Sequence, residues 1–153
     1  MKIFDTQIKH YEAKFSKTIA ALRVKDIKAI ATKLGVEDLE ASFKSNSDDF
    51  KKAMLHIAST LVPSRVSCTI YAAVCARVAE EFNVPYEVYA GFCLKANHPF
   101  KDKDLAAFKA RKEAGDEHPM IATHVYVTAN GVDYEYYSGA TSDIEHIDCV
   151  KIG

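Results

Sequence analysis

Asn130-Gly131 stands between two runs of alternating apolar and polar residues, 124–129 and 132–137, and this is the feature that most limits what the chain can become. Both residues tolerate positive φ, so the pair favours a two-residue type I′ turn whose twist matches the flanking strands. The register follows at once. Ala129 faces Val132, Val127 faces Tyr134 and Val125 faces Tyr136, which gathers one apolar face. The other face collects Thr128 with Asp133, Tyr126 with Glu135 and His124 with Tyr137. A slip of one residue would mix the two sets, so the pattern supports its own register. The C-terminal part must therefore hold antiparallel sheet, with one side covered by the rest of the chain.

The covering layer is legible upstream. Over 66–82 the residues Ile70, Tyr71, Val74, Cys75, Val78 and Phe82 recur at helical spacing and form a broad apolar face, which predicts the most buried helix of the fold. Asn83-Val84-Pro85 ends it in a tight turn. A strand over 86–93 follows, with Val88, Ala90 and Phe92 on one face and Tyr89, Gly91 and Cys93 on the other. Cys68 falls in the first turn of the helix. The first N–H groups there have no intrahelical partner and the helix dipole is positive, so both favour thiolate over thiol. Cys68 is the candidate nucleophile, set against the plainer reading of a small buried hydrophobe.

The first third reads as helical. Thr6 is the expected N-cap of a helix carrying Ile8, Tyr11, Phe15, Ile19 and Leu22. A second helix with Ile27, Ile30 and Leu34 stops at Gly35. Residues 45–48, Ser-Asn-Ser-Asp, form a turn and cap cluster before a third helix with Phe50, Met54, Ile57 and Leu61, ended by Pro63. Between the strand and the hairpin lies a charged insertion at about 95–119, with a helix over about 102–114 stopped by Gly115. It reads equally as a lid and as a solvated decoration. A chain of 153 residues with this pattern implies one α+β domain, a helical part over 1–62 and a cysteine helix plus antiparallel sheet over 63–153.

Composition narrows function by exclusion. A formal charge of −1, with lysines and carboxylates interspersed, gives no basic footprint for nucleic acid. The N-terminal residues lack the apolar core of a signal peptide and no run reaches the length of a membrane span, so the expected setting is cytoplasmic, without membrane contact. Of the four cysteines, Cys68 and Cys75 lie about two turns apart on one helix, roughly 10 Å and beyond disulfide reach. Cys75, Cys93 and Cys149 sit among apolar residues. There is no Cys-x-x-Cys and no zinc-type spacing of histidines with cysteines, so neither a metal nor a cofactor is expected.

The stretch SCTIYAAVCARVAEEFNVPYEVYAGF, residues 67–92, together with His124-Val-Tyr-Val, resembles the core signature of transglutaminase-like proteins within the papain-like superfamily: a Cys on a helix, then a His on a strand, then an acid on the next strand. The resemblance covers about the C-terminal half. It implies helices packed on a small antiparallel sheet, acyl transfer or hydrolysis at an amide of a protein or peptide, Cys68 as nucleophile and His124 as its base. The family's acid is usually Asp, and an ungapped reading places it near Ser138 or Gly139, where no acid stands. By the hairpin register Glu135 lies diagonally across from His124 on the same face and is the preferred third residue, with Asp133 and Tyr137 as alternatives.

Other readings stay open. His118, before Pro119, rivals His124 but has no strand to fix it. Asn97 and Tyr89 are weak candidates for oxyanion donors beside the Cys68 backbone N–H. The missing Asp and the absence of Trp also fit a fold of this kind that has lost catalysis and serves as a protein-binding or inhibitory module. Acetyl transfer from a thioester is a further alternative, although nothing suggests a coenzyme A site.

Overall fold

The computed structural model describes residues 3–61, 67–95, 106–107, 110, 114, 122–137 and 139–153. Five helices and four strands are named among them: α1 (Ile3–Ala21), α2 (Val24–Lys33), α3 (Leu39–Ser45), α4 (Asp48–Leu61), α5 (Cys68–Glu81), β1 (Tyr86–Lys95), β2 (Ala122–Ala129), β3 (Val132–Tyr134) and β4 (Ile144–Lys151). The strands form one antiparallel sheet in the order β3-β2-β1-β4, so the fold is α+β. No described helix is long and apolar enough to cross a membrane.

Helix α5 is the centre of the packing. It lies against α1, α4 and β2. Ala72, Ala73, Ala76 and Ala79 are fully buried beside Tyr71, Val74 and Val78. The alanines let neighbouring backbones approach, while each larger side chain contributes roughly 1.5–3 kcal/mol by leaving water. Ser67 caps the helix, its Oγ accepting the Ile70 N–H at 3.2 Å. At the far end Asn83 takes a left-handed conformation, φ 56°, and Val84 N–H closes on the Ala79 carbonyl at 2.9 Å.

The hairpin has the expected register over the three pairs next to the turn, Val127 with Tyr134, Thr128 with Asp133 and Ala129 with Val132, but the ladder stops there: the expected pairs Tyr126 with Glu135, Val125 with Tyr136 and His124 with Tyr137 do not form, and Tyr137 bridges Ala140 instead. Its apolar face meets the short helices through Tyr134, which stacks on Phe43 at 4.9 Å and donates its hydroxyl to the Phe43 carbonyl at 2.6 Å. On β1 the expected inner residues Val88, Ala90 and Phe92 are all buried.

Three further expectations need correction or completion. Thr6 is not the N-cap of α1, which already begins at Ile3; a capping preference of about 1 kcal/mol is outweighed when the chain can add a further helical turn. Helix α3 was not foreseen. It has two turns only, too short for a periodic signal, but Asp38 caps it by accepting the Ala41 N–H at 3.0 Å and Asn46 closes it at φ 48°. Strand β4 was also missed. The pairs Ala90 with Val150 and Phe92 with Ile147 leave an extra residue on β4, a bulge that breaks the two-residue alternation by which a strand is recognised. Pro63, Asn97, His118 and most of the charged insertion lie outside the described residues, although 106–107 and 110 are helical.

Gly91 sits opposite that bulge. A Cβ at this position would stand 2.4 Å from Cys149 Sγ and 2.6 Å from Cys149 Cα, so β1 and β4 close only because the side chain is absent. Gly91→Ala should therefore lower stability by about 2 kcal/mol in urea denaturation. Most of the loss should persist in a Cys149→Ala background, because the backbone contact remains.

Candidate active site

Gly91 of β1 pairs with His124 of β2, and Cys93 pairs with His146 of β4, so two histidines from non-adjacent strands flank β1. Their rings are nearly parallel, 16° apart with centroids at 6.0 Å. His146 lies flat on Tyr126, at 3.9 Å and 5°. Glu135, just past the end of β3, comes between the two: its Oε1 is 2.8 Å from His124 Nε2 and 2.6 Å from His146 Nε2. A carboxylate oxygen accepts, so both Nε2 atoms carry the proton. His124 is fully buried and Glu135 is 5% exposed.

This fixes the tautomer of His124. With Nε2–H committed to Glu135, neutral His124 presents a bare Nδ1, and that atom is buried without a hydrogen-bond partner. Cys68, half-buried at the first position of α5, interacts with the same imidazole. The Thr69 hydroxyl is 4.0 Å from the sulfur.

Electrostatics follow the geometry. Burial by itself would push the Cys68 thiol up, but the His124 imidazole, the Val125 backbone N–H and the Thr69 hydroxyl together outweigh it, and the thiol lies below its ordinary value. Burial also opposes an imidazolium at His124, yet Cys68 and Glu135 raise that group to about 9. At Glu135 burial favours the neutral acid, and the hydrogen bonds from His124 and His146 hold it below the usual carboxylate range instead. The other cysteines behave oppositely. Desolvation pushes Cys75, Cys93 and Cys149 upward, so Cys68 is the one with a depressed value.

The structure thus gathers Cys68, His124 and Glu135 at one place. Asp133 stands apart from His124, its Oδ2 3.9 Å from His146 Nδ1. Tyr137 meets the His124 ring edge-on at 5.8 Å and borders the site without replacing Glu135. Tyr89 is turned away, its hydroxyl donating to Glu87, so it is no oxyanion donor. His146 escaped the sequence reading because β4 did. Its signal was a histidine in an alternating segment whose phase the bulge disguised.

His124, Glu135 and His146 are also close enough together to be considered as metal ligands. The spacing argues for a hydrogen-bonded chain: Oε1 stands 2.8 and 2.6 Å from the two nitrogens, whereas two donors on a tetrahedral zinc ion at about 2.0–2.1 Å lie about 3.3 Å apart. Compared with protein-family models, curated proteins and solved structures, the chain matches none.

Reactivity should follow these values. Iodoacetamide should alkylate Cys68 selectively, with a midpoint below the free-thiol value of about 8.5, and should not slow at higher pH because the thiolate persists. Any reaction that uses the Cys68 thiolate together with the His124 imidazolium should slow again as pH rises through about 9 and His124 loses its proton. Mass spectrometry of the alkylated protein and a pH–rate profile check the two limbs separately.

Proposed function

We propose that this chain is a cysteine-dependent enzyme of transglutaminase-like or papain-like type, which hydrolyses or transfers the acyl group of an amide in a protein or peptide. What carries the reading is a buried His124 whose Nε2 is held by Glu135 while its Nδ1 is left unpaired toward a thiol at a helix N-terminus. That is the division of labour a thiol nucleophile needs: one nitrogen oriented by an acid, the other free to exchange a proton. Four unpaired cysteines suit a reducing cytoplasm, the setting in which we place the reaction.

The steps follow from these atoms. The Cys68 thiolate attacks the amide carbonyl carbon, a C–S bond forms and the carbonyl electron pair moves to oxygen. We assign the oxyanion to the Cys68 backbone N–H, which lies in the first turn of α5 where no intrahelical acceptor exists. As the C–N bond breaks, His124 gives its Nδ1 proton to the departing amine. Water or a second amine then attacks the thioester, His124 Nδ1 accepts the incoming proton, and the thiolate leaves. Glu135 keeps Nε2–H oriented throughout and compensates the imidazolium charge.

The test uses casein as amide-bearing protein, dansylcadaverine as acceptor amine and p-nitrophenyl acetate as activated acyl donor. An acetyl-enzyme on Cys68, together with casein labelling or cleavage that Cys68→Ala abolishes, is the expected result. Glu135→Gln should lower turnover roughly 10²-fold or more while the protein stays folded. The reading falls if Cys68 is not acylated and neither casein reaction depends on it. An inert Cys68 would then turn attention to a role as a binding module.

A further inference from the structure

We propose that His146 is a positioning residue of this site, holding Glu135 in place so that the chain Cys68, His124, Glu135, His146 works as one unit. The inference rests on the acyl-transfer reading above and adds a component that the three-residue scheme lacks.

The need for it comes from Glu135 itself. Its side chain has three rotatable torsions, one more than an aspartate, and its backbone lies beyond the last ladder pair of β3, Val127 with Tyr134. One bond to His124 would leave such a carboxylate free to swing. The second bond, from His146 Nε2–H at 2.6 Å, is made to the same Oε1 that serves His124 and is the shorter of the two. His146 is well placed to act as an anchor. Its ring rests on Tyr126 at 3.9 Å and 5°, its Nδ1 is 3.9 Å from Asp133 Oδ2, and its backbone is paired with Cys93 of β1. The carboxylate is thus held between two strands that do not touch each other. Because the ring is 19% exposed while Glu135 is 6% exposed at its side chain, His146 also closes the solvent side of the carboxylate.

Besides the parallel His124 ring at 6.0 Å, three of the described groups face His146, and each does something different. Tyr126 supplies the stacking surface, Asp133 the weak polar contact at Nδ1, and Glu135 the acceptor. Only the last matters for positioning, so the role can be separated from packing by two substitutions. His146→Phe keeps a flat ring for Tyr126 and removes the donor. His146→Gln gives up the ring but retains an N–H donor at about the reach of Nε2.

The experiment measures the pH dependence of Cys68 alkylation by iodoacetamide and kcat and KM for p-nitrophenyl acetate, in the wild type and both variants, with circular dichroism and melting temperature alongside. His146→Phe should move the alkylation midpoint toward the free-thiol value and lower kcat on the order of tenfold at unchanged KM, as expected when a reacting group is held less well. His146→Gln should recover most of both. If His146→Phe leaves midpoint and kcat within about twofold of wild type, or if His146→Gln loses as much as His146→Phe, the positioning role is overturned. Should His146→Phe fail to fold, long-range proton–nitrogen correlation spectra of the wild type at alkaline pH decide the matter: an Nε2–H tautomer at His146 upholds the bond to Glu135, and an Nδ1–H tautomer excludes it. A wild-type Cys68 that is not selectively alkylated would instead remove the acyl-transfer reading, so the two failures are distinct.

Discussion

An ionised carboxylate withdrawn from water costs several kcal/mol unless hydrogen bonds replace its hydration, and Glu135 is 5% exposed. Much of the sheet can be understood as the answer to that cost. Strand β2 brings one donor, strand β4 brings another, and β1 between them carries glycine at the point where β4 must come close. Two histidines then satisfy one oxygen. Cys68 and the charge so retained on Glu135 together raise His124 against its burial, and His124 in turn draws the Cys68 thiol down against its own desolvation. The site is a sequence of compensations in which each buried group is tolerable because of the next.

The helical layer serves the same end by a different means. Helix α5 is buried on nearly every side, and its alanines allow α1, α4 and β2 to close around it. A helix held so tightly has little freedom to rotate or slide, so the Ser67 cap and the Cys68 that follows are presented to β2 at a fixed height. The aromatic group of Phe43, Phe50 and Tyr134 ties the helices to the hairpin, with ring separations of 4.9 to 6.0 Å. Positional accuracy at the thiol thus comes from packing far from it.

Sequence patterns carried much of this and failed where physics made them faint. The Asn130-Gly131 turn set the hairpin register, and from that register Glu135 could be placed beside His124, where the 2.8 Å contact is found. The apolar spacing of α5 and the alternation of β1 were equally plain. Helix α3 was missed because two turns give no period, although Asp38 and Asn46 mark its ends. The loss of β4 had a larger consequence, because the bulge at Cys149 shifts the alternation there and hid His146 with it. Even a residue-perfect reading of β4 would have left His146 unassigned, since its meeting with Glu135 requires the strand order β3-β2-β1-β4 and not any local pattern.

That strand order bears on when the thiol becomes reactive. Cys68 is made early in the chain, His124 and Glu135 arrive much later, and β4, which carries His146, joins the sheet on the far edge of β1 from β2. During synthesis the cysteine helix can form long before the groups that would activate it exist. Until β2 has paired and brought His124 beside α5, Cys68 lacks the imidazole that lowers it, and its thiol is closer to an ordinary one, slower to attack its surroundings. Reactivity at Cys68 thus comes with completion of the sheet, and a nascent or partly unfolded chain carries the thiol without the groups that lower it.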